Sequence, residues 1–210
     1  MKPVLKRSLT LIELMIAISL LSILILAFGS LELFSRRHVV TLDRQAALQN
    51  EASLALEHMS INVQRGVGYP IIRPALAIHT TLGITDGFSV FIEPGAPGTP
   101  TNPADDFRVD YILGGLGGTT LTCTVTNPLP APAVISTETF STHIRPGVAN
   151  PATLPLLLPV FPSGLYINIT NGSMIEVSLV ARWQPANRVN LDNPQVVLKS
   201  SLYTRSSAAR

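Results

Sequence analysis

Ser8-Leu9-Thr10-Leu11-Ile12-Glu13-Leu14-Met15 sets one carboxylate at the mouth of an apolar run, directly behind a short leader that carries Lys2, Lys6 and Arg7. From Leu14 to Leu31 no side chain is ionisable. At ~1.5 Å of rise per residue this stretch makes a helix about 27 Å long, close to the ~30 Å hydrocarbon core of a bilayer, so it is long enough to span. Glu13 stands at its edge. An ionisable group in a membrane segment is costly and marks a functional site, unless the carboxylate merely snorkels to the headgroups.

A secretory signal peptide also starts with a basic segment and an apolar stretch. Its apolar region, however, is about 7–15 residues long and ends at a small-residue cleavage site. Here the run is longer and feeds into a helical pattern without such a break, so the segment is read as retained. Lys2, Lys6 and Arg7 before the run are matched by Arg36, Arg37 and Arg44 after it. The positive-inside count is therefore a tie. Only the N-terminal amine and the small leader favour an N-terminus in the cytoplasm.

The stretch Lys6-Arg7-Ser8-Leu9-Thr10-Leu11-Ile12-Glu13-Leu14-Met15 resembles the class III signal of bacterial type IV prepilins and type II secretion pseudopilins. Ser8 stands where that pattern usually has Gly, and Leu9 where it usually has Phe. The resemblance implies cleavage after Ser8 by a prepilin peptidase, N-methylation of Leu9, and engagement of a neighbouring subunit's N-terminal amine by Glu13. The charge logic holds without the family. A new amine at Leu9 is a cation at the membrane edge, and a carboxylate on another copy neutralises it, removing much of the penalty of placing either alone in low dielectric.

Past the membrane segment the chain is expected to stay helical. It has no proline between Val4 and Tyr69, and Gly29 is its only glycine before Gly66; sixteen of the 17 prolines and 13 of the 14 glycines come later. Proline costs ~3 kcal/mol inside a helix, so the shift in composition marks a boundary between two architectures. Leu48, Ala52, Leu56, Met59 and Val63 form an apolar stripe at helical spacing, interleaved with Asp43, Arg44, Glu51, Glu57 and Gln64. The stripe is expected to pack on the chain's own C-terminal domain, the alternative being partner helices. Arg36, Arg37 and His38 read as a juxtamembrane patch, and a net charge of +2 gives no wider basic field for nucleic acid.

After Gly66 the pattern is β. Strands are expected at 88–92, at 107–113, where Phe107, Val109, Tyr111 and Leu113 alternate with Arg108, Asp110 and Ile112, and around Leu121, Cys123 and Val125. Asn171-Gly172 between 165–170 and 173–183 is a strong hairpin signature, because both turn residues tolerate positive φ. A last strand is expected at 196–204. The Pro-rich stretches 93–103 and 146–162 are expected to run over the surface. Gly114-Gly115-Leu116-Gly117-Gly118 has no Lys-Ser or Lys-Thr after it and reads as a turn, not a phosphate cradle.

Helix first and antiparallel strands after predict an α+β fold, with a long N-terminal helix packed on an antiparallel sheet. The expected boundaries are a cleaved leader at 1–8, a transmembrane half of the helix at 9–31, an amphipathic half at 32–65 and a β-rich domain at 66–210. The length, the Phe107–Leu113 strand with its Gly turn and Thr120-Leu-Thr-Cys123, and the basic end Leu198-Lys-Ser-Ser-Leu-Tyr-Thr-Arg205 resemble W-type minor pilins and J-type minor pseudopilins. That resemblance implies a type IV pilin-like fold and a structural subunit in the initiation or tip complex of a pilus or pseudopilus. Its implied partners are other minor subunits, the major pilin, the prepilin peptidase and the inner-membrane assembly platform. The β domain would lie in the periplasm before entering the filament or reaching the cell surface. The alternative function is a tip-presented adhesin or DNA-capture module.

Enzymatic and metal chemistry have little support in the sequence. Cys123 is the single cysteine, so no intrachain disulfide forms, and it reads as a strand core residue. His38, His58, His79 and His143 are dispersed, and no Gly-x-Ser-x-Gly elbow accompanies any Ser/His/Asp set. Asp105, Asp106 and Asp110 are the densest acidic group and the weak candidates for a structural Ca²⁺, but they lack the regular oxygen-ligand loop. Asn168-Ile-Thr170 and Asn171-Gly-Ser173 match a glycosylation pattern and are assigned no role.

Overall fold

The computed structural model describes residues 10–68, 74–81, 84–93, 106–114, 118–127, 133–145, 164–170 and 174–204. The chain divides into two units, Met1–Leu42 and Asp43–Arg210. Helix α1, Leu11–Gln64, contributes to both. Eight strands follow: β1 Leu76–Thr81, β2 Ile84–Ile92, β3 Phe107–Gly114, β4 Thr120–Asn127, β5 Ala133–Ser141, β6 Leu165–Thr170, β7 Met174–Arg182 and β8 Gln195–Tyr203.

In the first unit, α1 is long and apolar enough to cross a membrane, and its large apolar side chains are exposed along its length. The few hydroxyls in the apolar run are satisfied by the helix itself. Ser19 donates to the Met15 carbonyl and Ser22 to the Ile18 carbonyl, both at 2.8 Å. Internal satisfaction of this kind is what a hydrocarbon environment demands of polar groups. Glu32 and Arg36, paired at 2.5 Å one turn apart, close the uncharged run.

In the second unit, α1 buries Leu48, Ala52, Ala55, Met59, Asn62 and Val63. The expected stripe packs on this unit's core, with Leu56 half-buried at the margin against it, while Ala55 and Asn62, outside the expected stripe, also lie inside. A spacing of 4, 3, 4 and 4 from Leu48 through Met59 to Val63 keeps one face inward, and small Ala52 and Ala55 let the helix backbone approach its partners closely. The helix closes on tightened turns, with Gly66 N donating to the Val63 carbonyl at 3.0 Å. Gly66 then bridges to Ile92, which leads the chain into the sheet.

β1 to β5 form one antiparallel meander in sequence order, and β6 to β8 form a second. Alternation along the strands fixes the faces. Tyr111 pairs with Phe88 on one side and Cys123 on the other, Val109 with Val90 and Val125, and Leu113 with Leu121. These side chains join Leu48, Ala55, Met59 and Val63 of the helix, and Ile167, Ile175, Val177, Leu179 and Leu202 of the second sheet, in one hydrophobic core. The α+β architecture is thus one long helix packed on antiparallel sheet. The sheets are stitched at Ile144, which bridges to Ala181, and at Gly164, whose N–H donates to the Arg145 carbonyl at 2.7 Å.

A second fastening is polar and aromatic. His143 stacks on Trp183 with centroids 5.1 Å apart and meets Glu51 of the helix at 3.1 Å. Arg44, seven residues before Glu51, lies over the same indole at 5.5 Å and donates to the Asp192 carbonyl.

Strands β1 and β5 were not expected from the sequence, and β2 begins four residues earlier than the expected strand. The 165–183 hairpin forms, with Thr170 opposite Met174, so three residues separate the paired positions instead of two. Those three, the Gly-rich stretch 115–117 and nearly all of both Pro-rich stretches lie outside the described residues.

Tyr111 is the polar hinge of the core. Its hydroxyl accepts from Asn62 Nδ2 at 2.7 Å, meets His58 Nδ1 at 2.8 Å and reaches the His58 carbonyl at 3.2 Å. Burial drives the phenol well above its ordinary ionisation range, and burial likewise pushes the Cys123 thiol up to about 11 from an ordinary value near 9. The folded chain therefore holds a proton on Cys123 that the unfolded chain releases between about pH 9 and 11. Stability should be fully present below pH 9 and fall as pH rises through 11, with Tyr111 extending the decline. Urea midpoints across pH 8–11 check this, and Cys123→Ala should flatten the first part of the slope. The thiol should resist alkylation at pH 8 until the chain is unfolded.

Candidate functional site at the head of the membrane helix

Thr10 is the residue before the first helical turn, and its carbonyl accepts the Leu14 N–H at 3.3 Å. The Thr10 N–H and hydroxyl both donate to Glu13 Oε2, at 2.9 and 3.0 Å, and the Glu13 N–H reaches back to Thr10 Oγ1 at 3.4 Å. This is a reciprocal capping box. A threonine cap and a carboxylate three residues on satisfy backbone donors that a helix start otherwise leaves open, and the negative charge sits at the positive end of the helix dipole. The Thr-x-x-Glu spacing was visible in the sequence, where Glu13 was read for its charge alone.

The geometry gives Glu13 a fixed direction. Both Thr10 donors converge on Oε2, and no bond to Oε1 occurs among the described residues. The carboxylate is exposed and points back along the chain toward the helix start. One of its oxygens is occupied by Thr10, and the other accepts from none of the described residues. Ser8 and Leu9, the expected cleavage and methylation positions, lie outside the described residues.

The acidic group singled out as a weak calcium candidate is arranged for other work. Asp110 accepts from Arg108 Nε at 2.7 Å and from Ser89 Oγ at 2.5 Å, with His79 Nε2 at 3.5 Å. Asp106 is buried nearby in sequence, and Asp105 lies outside the described residues. Among the described residues no three His, Cys, Asp or Glu side chains are grouped to hold a metal ion. Ser89, His79 and Asp110 do converge, but the serine gives its proton to the aspartate, and its side chain is buried. A nucleophile needs a base at its hydroxyl, and the Asp110 carboxylate is instead neutralised by Arg108.

Residues 5–29 match the family model described as the prokaryotic N-terminal methylation motif. No curated protein and no solved structure matches the chain. A capped apolar helix of membrane length, opened by this motif, fits membrane anchoring and points to a structural protein that is a substrate of processing, not an enzyme. More narrowly, the motif indicates a type IV pilin-like or pseudopilin-like precursor.

Proposed function

We propose that the chain is a minor pilin or minor pseudopilin, a subunit of the initiation or tip complex of a type IV pilus or type II secretion pseudopilus. The observation that carries this reading is the Glu13 carboxylate, held by Thr10 through one oxygen at the head of an uncharged membrane-length helix. Cleavage after Ser8 creates an amine at Leu9, which is then methylated. In the assembly that amine on one subunit meets the open oxygen of Glu13 on the next, so insertion into the bundle is coupled to charge neutralisation in low dielectric. The helix joins the bundle with other minor subunits and the major pilin, above the inner-membrane assembly platform. The sheet-bearing unit stands on the periplasmic side until it is carried into the filament.

N-terminal mass spectrometry of chain made beside a prepilin peptidase should find a methylated Leu9. A mature chain that keeps residues 1–8 would defeat the processing step. Glu13→Ala should leave membrane insertion intact while cutting cross-linking to partner minor subunits about tenfold, the effect of losing roughly 1.4 kcal/mol of pairing. Undiminished cross-linking would return Glu13 to a snorkelling carboxylate.

A further inference from the structure

The outward face of the second sheet carries a half-open groove of about 450 Å³, within the ~300–1,000 Å³ range of small-ligand sites. Two cross-strand rows build it. Tyr166, Ser178 and Lys199 lie side by side on β6, β7 and β8, and Asn168, Glu176 and Ser201 form the next row. The depth comes from size. Ser178 and Ser201 are short and diagonal to one another, while Tyr166, Lys199 and Glu176 stand around them as walls.

Four features of this groove bear on a ligand. Ser178, on the floor, is only 7 % exposed. Lys199 has no ion-pair partner among the described residues, although Glu176 lines the same groove. The Glu176 carboxylate is steadied by Asn168 Nδ2, which donates to Oε2 at 3.2 Å. Tyr166 remains 40 % exposed and offers an aromatic wall.

We infer that this groove binds a neutral oligosaccharide. One cation and one anion in the same groove cancel, so it has no net field for a polyanion or a polycation. A hydroxyl-rich ligand uses both charges. It donates to Glu176 and accepts from Lys199, and it exchanges hydrogen bonds with Ser178 and Ser201, whose hydroxyls do either. The apolar face of a sugar ring packs against the exposed Tyr166 ring. The inference is independent of assembly, because none of these residues lies on α1.

The test uses the full chain in lipid nanodiscs, with saturation-transfer NMR and calorimetry against maltotriose, cellotriose and tri-N-acetylchitotriose. At least one should bind at millimolar or lower concentration. Tyr166→Ala and Ser178→Val should each weaken it tenfold or more with the melting midpoint held, and Lys199→Gln, a milder surface change, should weaken it severalfold. Cross-linking to minor subunits should be unchanged in Lys199→Gln, which separates this site from the assembly role. No binding of any of the three sugars, or binding indifferent to Tyr166→Ala and Lys199→Gln, would overturn the inference. So would tighter binding of trigalacturonate or of a tripeptide, which would make the groove a site for an anion or a zwitterion.

Discussion

Met59→Asp should all but abolish folding of a soluble chain that starts near residue 33. Met59 is fully buried where α1 meets the sheets. The substitution loses the apolar packing, worth about 2–5 kcal/mol at a buried methionine, and also forces a carboxylate to ionise unpaired or to bind a proton. Together these consume most of the ~5–15 kcal/mol by which a domain is stable. Urea or thermal unfolding measures it. Two companions make the prediction sharp: Leu56→Asp, at the half-buried margin, should cost distinctly less, and Leu54→Asp, where the leucine is 56 % exposed, should be close to neutral. Equal losses at all three positions would mean that this face of the helix is not docked as described.

Gly87→Ala is expected to be nearly as severe for a different reason. A Cβ at Gly87 would stand 2.1 Å from the Tyr111 carbonyl oxygen and 2.9 Å from Ile112 Cα. Both are backbone atoms of β3, the strand to which Gly87 is paired. No rotamer relieves such a contact, so β2 and β3 must separate where Tyr111 anchors the core. The cost should reach or exceed the ~1–3 kcal/mol typical of overpacking, read as a fall in urea midpoint. Gly114→Ala, with nothing within 4 Å of the added methyl, should be neutral or stabilise by up to about 1 kcal/mol through the unfolded chain. A neutral Gly87→Ala would mean that β2 and β3 are less closely paired there.

The Thr10 and Glu13 box shows where reading by charge fell short. The carboxylate was visible as an anomaly in an apolar run, and that pointed to a role between subunits. The same residue also closes its own helix, and only the geometry shows that one oxygen does this while the other has no partner among the described residues. The core stripe shows a related limit. Spacing alone made Leu56 as good a candidate as Met59. Which of them is inside depends on the angle at which the helix meets the sheets, and small Ala52 and Ala55 allow a close approach at that angle.

The missed strands have a physical cause too. β5, Ala133–Ser141, is exposed over its first seven residues and carries no alternating apolar face, so hydrophobic periodicity had nothing to register. It is a strand because β4 offers it a ladder, with irregularities in register at two places. β3, by contrast, writes its two faces into the sequence, since Val109, Tyr111 and Leu113 must all turn to the core. Yet Asp110, which alternates with these core residues, is buried too, because Ser89 and Arg108 on its own face enclose it.

What the sequence determined by itself was whatever depends on neighbours along the chain. The membrane-length helix follows from an uninterrupted apolar run, its continuation from the absence of proline and glycine, and the later strands from alternation and turn residues. The motif at 5–29 belongs to the same class, because it is a contiguous linear segment. The tertiary structure decided what depends on residues far apart. The Tyr111 hub joins Asn62 and His58 of the helix to a strand about fifty positions later. The groove places Tyr166, Ser178 and Lys199 in one row from three strands. Neither is encoded in local spacing, since each exists only when sheet register brings separate segments to the same place.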